Sequence, residues 1–241
     1  MSYPHECPNP CEVISIRSPS RFLDVFEAGF GQNGFPASAT GPSKRWILQA
    51  ARSSLILPVT DAVLVIDLEA TCWDKHPPPL GEQSEIIEVG WALLDVPSNH
   101  LTRTGTILVK PVKSHVSAFC TQLTTITQEM VDEEGVTLKG AFEFLVKELG
   151  SKKISWASYG EYDKNMARKQ CRIFGLDYPF RDVHTNVKAL FKLRYSDYRG
   201  SCGMDAAYKK VMGKEIEGTH HKGGDDAKNI ATMLGTLLNT K

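Results

Sequence analysis

The sequence predicts an α/β domain built on a mixed sheet of five strands flanked by helices, an antiparallel meander followed by parallel strands. Three observations carry that reading. The aliphatic run Val63-Leu64-Val65-Ile66 ends on Asp67-Leu68-Glu69-Ala70-Thr71-Cys72, as a buried strand does where it meets polar surroundings. Strand-like segments come first, and helix-like and strand-like segments then alternate, which is the order of a sheet with helices packed on it. Near the end of the chain Ala227, Ile230, Ala231, Leu234 and Leu238 form a stripe of helical spacing directly after Asp225-Asp226.

In the first strand a side-chain period of two places Asp67 and Glu69 on the same face. Two neighbouring carboxylates repel and are costly to desolvate, so a cation between them, naturally a divalent metal, would relieve both penalties. Taken alone, Asp-x-Glu is also what a strand running into a solvated loop looks like. Asp74 to Gln83 is a polar loop with Pro77-Pro78-Pro79 at its centre, of the kind that forms a wall beside a site. Ile86 to Asp95 reads as a largely buried second strand, Pro97-Ser98-Asn99-His100 as a turn, and the alternation from Thr102 to Val109 as a third strand.

From Thr137 the pattern becomes helical: Leu138, Ala141, Phe142, Leu145, Val146 and Leu149 share a face, and Gly150 ends the run. Lys153 to Ser158 reads as a fourth strand, and Met166, Ala167, Cys171 and Phe174 lie on another helix. Phe180-Arg181-Asp182-Val183 suggests the fifth strand, and helices are expected over about 184–194 and 203–212. In the last helix Asp226 falls in the first turn, where its charge suits the helix dipole, and it borders the buried face four residues before Ile230. His221 stands five residues before Asp226. Gly223-Gly224 reads as a helix break that leaves His221 on a mobile loop able to swing over the same site. A further acid, Asp163, opens the helix that follows the fourth strand. Individually Asp163 fits a helix N-terminal charge, His221 and His220 surface positions, and Asp225 and Asp226 helix caps.

Jointly, Asp67, Glu69, Asp163, Asp226 and His221 resemble the motifs of the DEDDh class of 3′-to-5′ exonucleases, over roughly residues 62 to 238. Finer segments resemble the subgroup of enhanced-RNAi and 3′ histone mRNA exonucleases: Ile66 to Cys72, Ile86-Ile87-Glu88-Val89-Gly90, Phe119 to Gln128, Gly203-Met204, Glu217 to His221, and Asn229-Ile230-Ala231. Thr125 stands where that subgroup usually has glycine, and Tyr159 and Tyr162 stand where it usually has tryptophan. The resemblance implies an RNase H-like fold and metal-dependent 3′-to-5′ trimming of single-stranded or overhanging RNA ends, with release of nucleoside 5′-monophosphates. It assigns Asp67, Glu69 and Asp226 to one divalent ion and Asp67 to a second, with Asp163 acting directly or through metal-bound water. Carboxylate oxygens suit Mg²⁺ or Mn²⁺, two ions per site, and a histidine titrating near neutrality, His221, suits the general base. Leu68, Ala70 and Thr71 are expected to line the terminal nucleotide, Leu68 against its base and backbone amides at the sugar, with Leu123 and Thr124 as a second wall. A DNA exonuclease of the same fold, or a weakly active nucleic-acid-binding adaptor, are the competing readings.

Lysine plus arginine and aspartate plus glutamate both total 28, so no global basic field advertises a polyanion partner, though an acid-lined site leaves room for a basic rim. Lys164, Arg168, Lys169 and Arg172, with Lys188, Lys192, Arg194 and Arg199, are candidates to track phosphates. No run approaches the ~18 apolar residues of a membrane span, and scattered cysteines fit reduced thiols and an intracellular, cytoplasmic setting. Residues 1–58 read as a poorly packed or disordered extension without signal or transit-peptide character, with a short helical turn around Trp46 to Arg52; residues 59–241 read as the exonuclease domain.

Overall fold

A computed structural model describes residues 12–16, 62–75 and 77–239. Its strands are β1 (Glu12–Ile16), β2 (Ala62–Ala70), β3 (Ile86–Asp95), β4 (His100–Leu108), β5 (Ser155–Ser158) and β6 (His184–Asn186). The helices are α1 (Ala118–Thr124), α2 (Gln128–Glu133), α3 (Leu138–Glu148), α4 (Tyr162–Phe174), α5 (Val187–Arg194), α6 (Met204–Met212) and α7 (Gly223–Asn239). The strands form one sheet in the order β1-β4-β3-β2-β5-β6. β2, β3 and β4 make the expected antiparallel meander, and β5 and β6 continue it in parallel from β2. β2 is therefore the seam between the antiparallel and parallel halves.

Both faces of the sheet are covered, which is why β3 is buried almost throughout. On one face Leu64, Ile66, Leu68, Val89 and Trp91 pack with Phe142 and Leu145 of α3 and with Met166 and Ala167 of α4. On the other face Val65, Ala92 and Leu94 pack with Phe191, Tyr208, Ile230 and Leu234 of α5, α6 and α7. The alternation of a strand thus sends Leu64, Ile66 and Leu68 toward α4 and sends Val65, Asp67 and Glu69 toward α7. Among the described residues no helix is long and apolar enough to cross a membrane.

Five elements differ from the sequence expectation. Within the stretch read as a poorly packed extension, Glu12–Ile16 forms a sixth strand, parallel to β4 at the sheet edge; the turn expected around Trp46 to Arg52 lies outside the described residues. The last strand is His184–Asn186 rather than Phe180 to Val183. Phe180 is apolar because it stacks on Trp156, with centroids 4.3 Å apart, while Val183 is exposed, so the apolar signal came from packing and not from pairing. The helix expected from 184 accordingly begins at Val187. α1 and α2 are too short to show a stripe; each is started by a side-chain cap, Ser117 to the Cys120 amide and Thr127 to the Met130 amide.

Candidate active site

The sequence placed Asp67 and Glu69 on one face of β2, and that face is the one covered by α7. Asp226, in the first turn of α7, reaches the same place: carboxylate oxygens of Asp67, Glu69 and Asp226 lie within 4.8 Å of one another. The close approach is possible because side chains are missing where α7 meets β3. Gly90, opposite Asp67 in the ladder, lies so near the start of α7 that a Cβ there would sit 1.9 Å from the Gly223 carbonyl carbon. A Cβ on Gly223 would in turn lie 3.2 Å from the Asp67 carbonyl oxygen and from the Gly90 amide nitrogen. Gly223-Gly224, expected to break the helix, are its first residues, and their role is contact between backbones.

Asp163 arrives from the other layer. It opens α4, which packs on the opposite face, and reaches around the end of β2 to accept the Leu68 amide proton at 2.9 Å. Ser158, at the end of β5, also hydrogen-bonds to its carboxylate, and the Ser158 hydroxyl lies 2.9 Å from Nε2 of His184. Asp163 and Asp226 are both buried, at 4% and 3% exposure.

So many acids in one place shift their own titration. Burial first, and then the charges of Asp163, Glu69, Asp226 and Glu88, hold the Asp67 carboxyl well above the usual carboxylate range. Burial, followed by Glu88, Asp226 and Asp163, pushes Glu69 up to about 9. Burial pushes Asp163 up to about 6 against the hydrogen bonds from Leu68 and Ser158. Asp226 is raised by burial, with the His221 amide and His220 acting in the other direction. A cluster that resists ionisation in this way is short of positive charge, and an all-oxygen donor set fits a hard divalent cation such as Mg²⁺ or Mn²⁺. Asp67, Glu69 and Asp226 are the residues that would hold it.

His221 has a left-handed backbone, φ 62°, and its amide donates to Asp226 Oδ2 at 2.9 Å. Its ring is half-buried, and burial, then His220, lowers its pKa. The loop that carries it, expected to be free to swing, is tied to α7. Asn229 accepts the Glu217 amide proton and donates to the Glu217 carbonyl, and Asp225 accepts the Thr219 amide proton at 2.9 Å. Asp225 thus holds the loop rather than a solvated cap.

Two residues were not read from the sequence as part of the site. His220, taken for a surface or structural residue, has Nδ1 3.0 Å from Asp226 Oδ2 and its ring stacked on that of His221. Glu88 is buried on β3, opposite Glu69; its Oε2 accepts the Gly223 amide proton at 2.7 Å and its Oε1 accepts from Thr106. The signal for Glu88 was a lone acid in the middle of an apolar strand, with a glycine two residues on.

The expected substrate contacts fall into two groups. Leu68 and Ala70 are buried in the core, and Thr71 is fully buried, with its hydroxyl donating to the Gln83 carbonyl and accepting from the Glu85 amide. The amides of Leu68 and Thr71 are occupied by Asp163 and by the Glu85 carbonyl, which removes both from the amides expected at the sugar. Thr124 is buried and bonds the Cys120 carbonyl, whereas Leu123 and Tyr162 are exposed. Tyr162 lies near enough to Asp163, Glu69 and Asp67 for their charges to add to burial in raising its hydroxyl pKa. Of the basic side chains, Lys164 pairs with Glu161, and Arg168 lies over the Tyr178 ring and 3.6 Å from Asp182.

A mixed sheet whose seam strand ends in two acids, met by a third from the last helix and a fourth from the opposite layer, defines a nuclease class, and comparison with known proteins agrees. The family model described as Exonuclease matches residues 64–234, well over half of the chain, and the chain belongs to that family. It is 32% identical over 203 residues to the 3′-5′ exoribonuclease 1 of Rattus norvegicus, covering 81% of this chain and 58% of that protein. It is 29% identical over 197 residues to the 3′-5′ exonuclease Snipper of Drosophila melanogaster, covering 73% and 69%. Its fold matches the nuclease domain of 3′hExo, a DEDDh family member solved with bound rAMP, with a TM-score of 0.63 and 32% identity over 73% of this chain and 90% of that one. The chain spans little more than half the length of the exoribonuclease 1 relatives it matches.

Proposed function

We propose that this protein is a metal-dependent 3′-5′ exoribonuclease that trims single-stranded or overhanging RNA 3′ ends and releases nucleoside 5′-monophosphates. The observation that carries the reading is the meeting of Asp67, Glu69 and Asp226 within 4.8 Å, from elements more than 150 residues apart in sequence. Similarity to relatives named exoribonucleases, and to a 3′-exonuclease solved in recognition of a histone mRNA stem-loop at 31% identity, supports RNA as the substrate. Two divalent ions, Mg²⁺ or Mn²⁺, when bound to such carboxylates supply a more acidic water and neutralise charge on the phosphoryl and leaving oxygens.

The chain's own residues do the rest. His221, its pKa lowered, is neutral at physiological pH and accepts the proton of the attacking water. The Asp226 carboxylate fixes the His221 backbone, so ligand and base are set by one side chain. Asp163 stands behind the Leu68 amide and holds the end of β2 in place. Tyr162, exposed and close to the acids, forms one wall against which the terminal base packs, and the exposed Leu123 forms the other. Leu68, Ala70 and Thr71, buried and with the Leu68 and Thr71 amides already paired, act by shaping the end of β2, and Thr124 ties down the last turn of α1 through the Cys120 carbonyl. The free thiols at Cys72, Cys120, Cys171 and Cys202 suit a cytoplasmic setting.

Matched RNA and DNA oligonucleotides, labelled at either end, test the proposal. Mononucleotides should appear from the 3′ end of RNA, EDTA should stop their release, and Mn²⁺ or Mg²⁺ should restore it. His221→Ala should lower turnover by about 10²- to 10⁴-fold with metal binding retained. Preference for DNA, internal cleavage, or activity in EDTA would overturn the reading.

A further inference from the structure

We propose that His220, His221 and Asp226 form a second metal site, suited to one Zn²⁺ ion, that shares Asp226 with the carboxylate site and excludes the catalytic arrangement when filled. Ligand atoms of these three residues lie within 4.8 Å of one another. Consecutive side chains normally diverge, but the left-handed backbone at His221 turns the two imidazoles onto the same side, where they stack with centroids 4.0 Å apart and planes 19° apart. His220 Nδ1 is already directed at Asp226, 3.0 Å from Oδ2 and 3.3 Å from Oδ1. The supports are firm: Asp226 is buried in the first turn of α7, and the loop bearing both histidines is pinned by Asn229 and Asp225.

Donor chemistry separates the two sites. Three carboxylates favour hard ions, whereas two imidazoles with one carboxylate favour borderline ions such as Zn²⁺, and three protein ligands leave a fourth position for water or a substrate phosphate. Asp226 belongs to both sets, and the lone pair that His221 would offer zinc is the one it needs as a base. Filling the histidine site therefore takes a carboxylate from the catalytic ions and the base from the attacking water. That consequence rests on the proposed exonuclease chemistry; the site itself does not.

Calorimetric titration of Zn²⁺ into the metal-free full chain, and again in excess Mg²⁺, tests the site without reading cleavage. One zinc equivalent should bind in both cases. His220→Ala should weaken binding by about tenfold or more, and His220→Asn, which still donates to Asp226, should do the same if the alanine variant folds poorly. Glu69→Gln should leave the zinc affinity as it is. With Co²⁺ in place of zinc, the wild type should show the strong visible absorption of a four-coordinate ion with nitrogen ligands, and His220→Asn should not. Absence of binding, equal binding by the His220 variants, or loss of binding on Glu69→Gln would overturn the proposal. In Mg²⁺ assays zinc should then inhibit the wild type at lower concentration than His220→Asn. Zinc binding by a chain with no exonuclease activity would sink the exonuclease reading alone.

Discussion

Asp226 and Asp163 reach the end of β2 from opposite faces of the sheet, and the fold holds them by different means. On the α7 side backbone lies on backbone: Gly90 against Gly223, with the Glu88 carboxylate taking the first amide of the helix. On the α4 side Asp163 is held by hydrogen bonds to its own carboxylate, from the Leu68 amide and the Ser158 hydroxyl. The α7 side fixes a distance by excluding atoms, and the α4 side fixes an orientation by supplying donors. A packed contact without side chains has no way to relax, so the α7 side should be the more brittle.

Gly90→Ala breaks the comparison most directly. Its Cβ would fall 1.9 Å from the Gly223 carbonyl carbon and oxygen and 2.5 Å from the Gly224 nitrogen, all of them backbone atoms, so α7 must move. Overpacking of this kind costs ~3 kcal/mol or more, a drop of about 6–12 °C in melting temperature for a domain of this size, and activity should fall to background as Asp226 leaves the cluster. A folded Gly90→Ala variant with wild-type turnover would show that backbone contact does not place Asp226.

The acids on both sides share one titration consequence. Glu69, ordinarily near 4.5, is raised to about 9, and Asp163, ordinarily near 3.8, to about 6. Between the ordinary and the raised values the folded chain binds more protons than the unfolded chain, so stability falls as pH rises through that window. In EDTA the melting temperature should therefore decline from about pH 5 to about pH 8. Mg²⁺ binds the ionised form and should raise it, by the equivalent of ~2.7 kcal/mol at a hundredfold excess over the dissociation constant, with the larger increment at the higher pH. Equal increments at both pH values would mean that the carboxylates ionise independently of the ion.

Glu88→Gln sharpens the α7 side. The amide keeps an oxygen for Gly223 but loses the charge that faces the helix start, and its NH₂ group replaces the oxygen that now accepts from the Thr106 hydroxyl. A loss of about 10- to 100-fold in metal affinity or turnover is expected, with little change in melting temperature because the shape is preserved. Unchanged activity would reduce Glu88 to a packing residue.

The same contrast explains what the sequence made legible. Asp67 and Glu69 could be paired from the period of a strand, which is a local pattern, whereas Asp163 and Asp226, which alone read as charges at helix starts, joined them only through the resemblance to the exonuclease motifs. Glu88 could not, since its partner is the amide of Gly223, 135 residues away. Gly223-Gly224 were misread for a related reason: a glycine pair signals either freedom or close approach, and only Gly90 across the contact decides between them. His220 reads as a surface or structural residue because the positive φ at His221, which sets the two rings side by side, leaves no mark in composition. β6 was displaced because Phe180 advertises burial without saying whether a strand or an aromatic stack provides it.

Thr125→Gly is the smallest test and lies away from both supports. Thr125 ends α1 in the left-handed region, φ 65°, with its amide bonded to the Thr121 carbonyl, a place where a β-branched residue is strained and glycine is at ease. Relief of the ~1–2 kcal/mol that a Cβ costs there is partly offset by the greater chain entropy of glycine when unfolded, leaving a net gain of ~1 kcal/mol and a melting temperature higher by about 2–4 °C. Because Leu123 and Thr124 stand just before it, the same change should alter the Michaelis constant for RNA if that turn forms a wall of the site, and leave kcat alone. A variant more stable but kinetically identical would detach the α1 turn from substrate binding and leave Tyr162 as the exposed wall beside the acids.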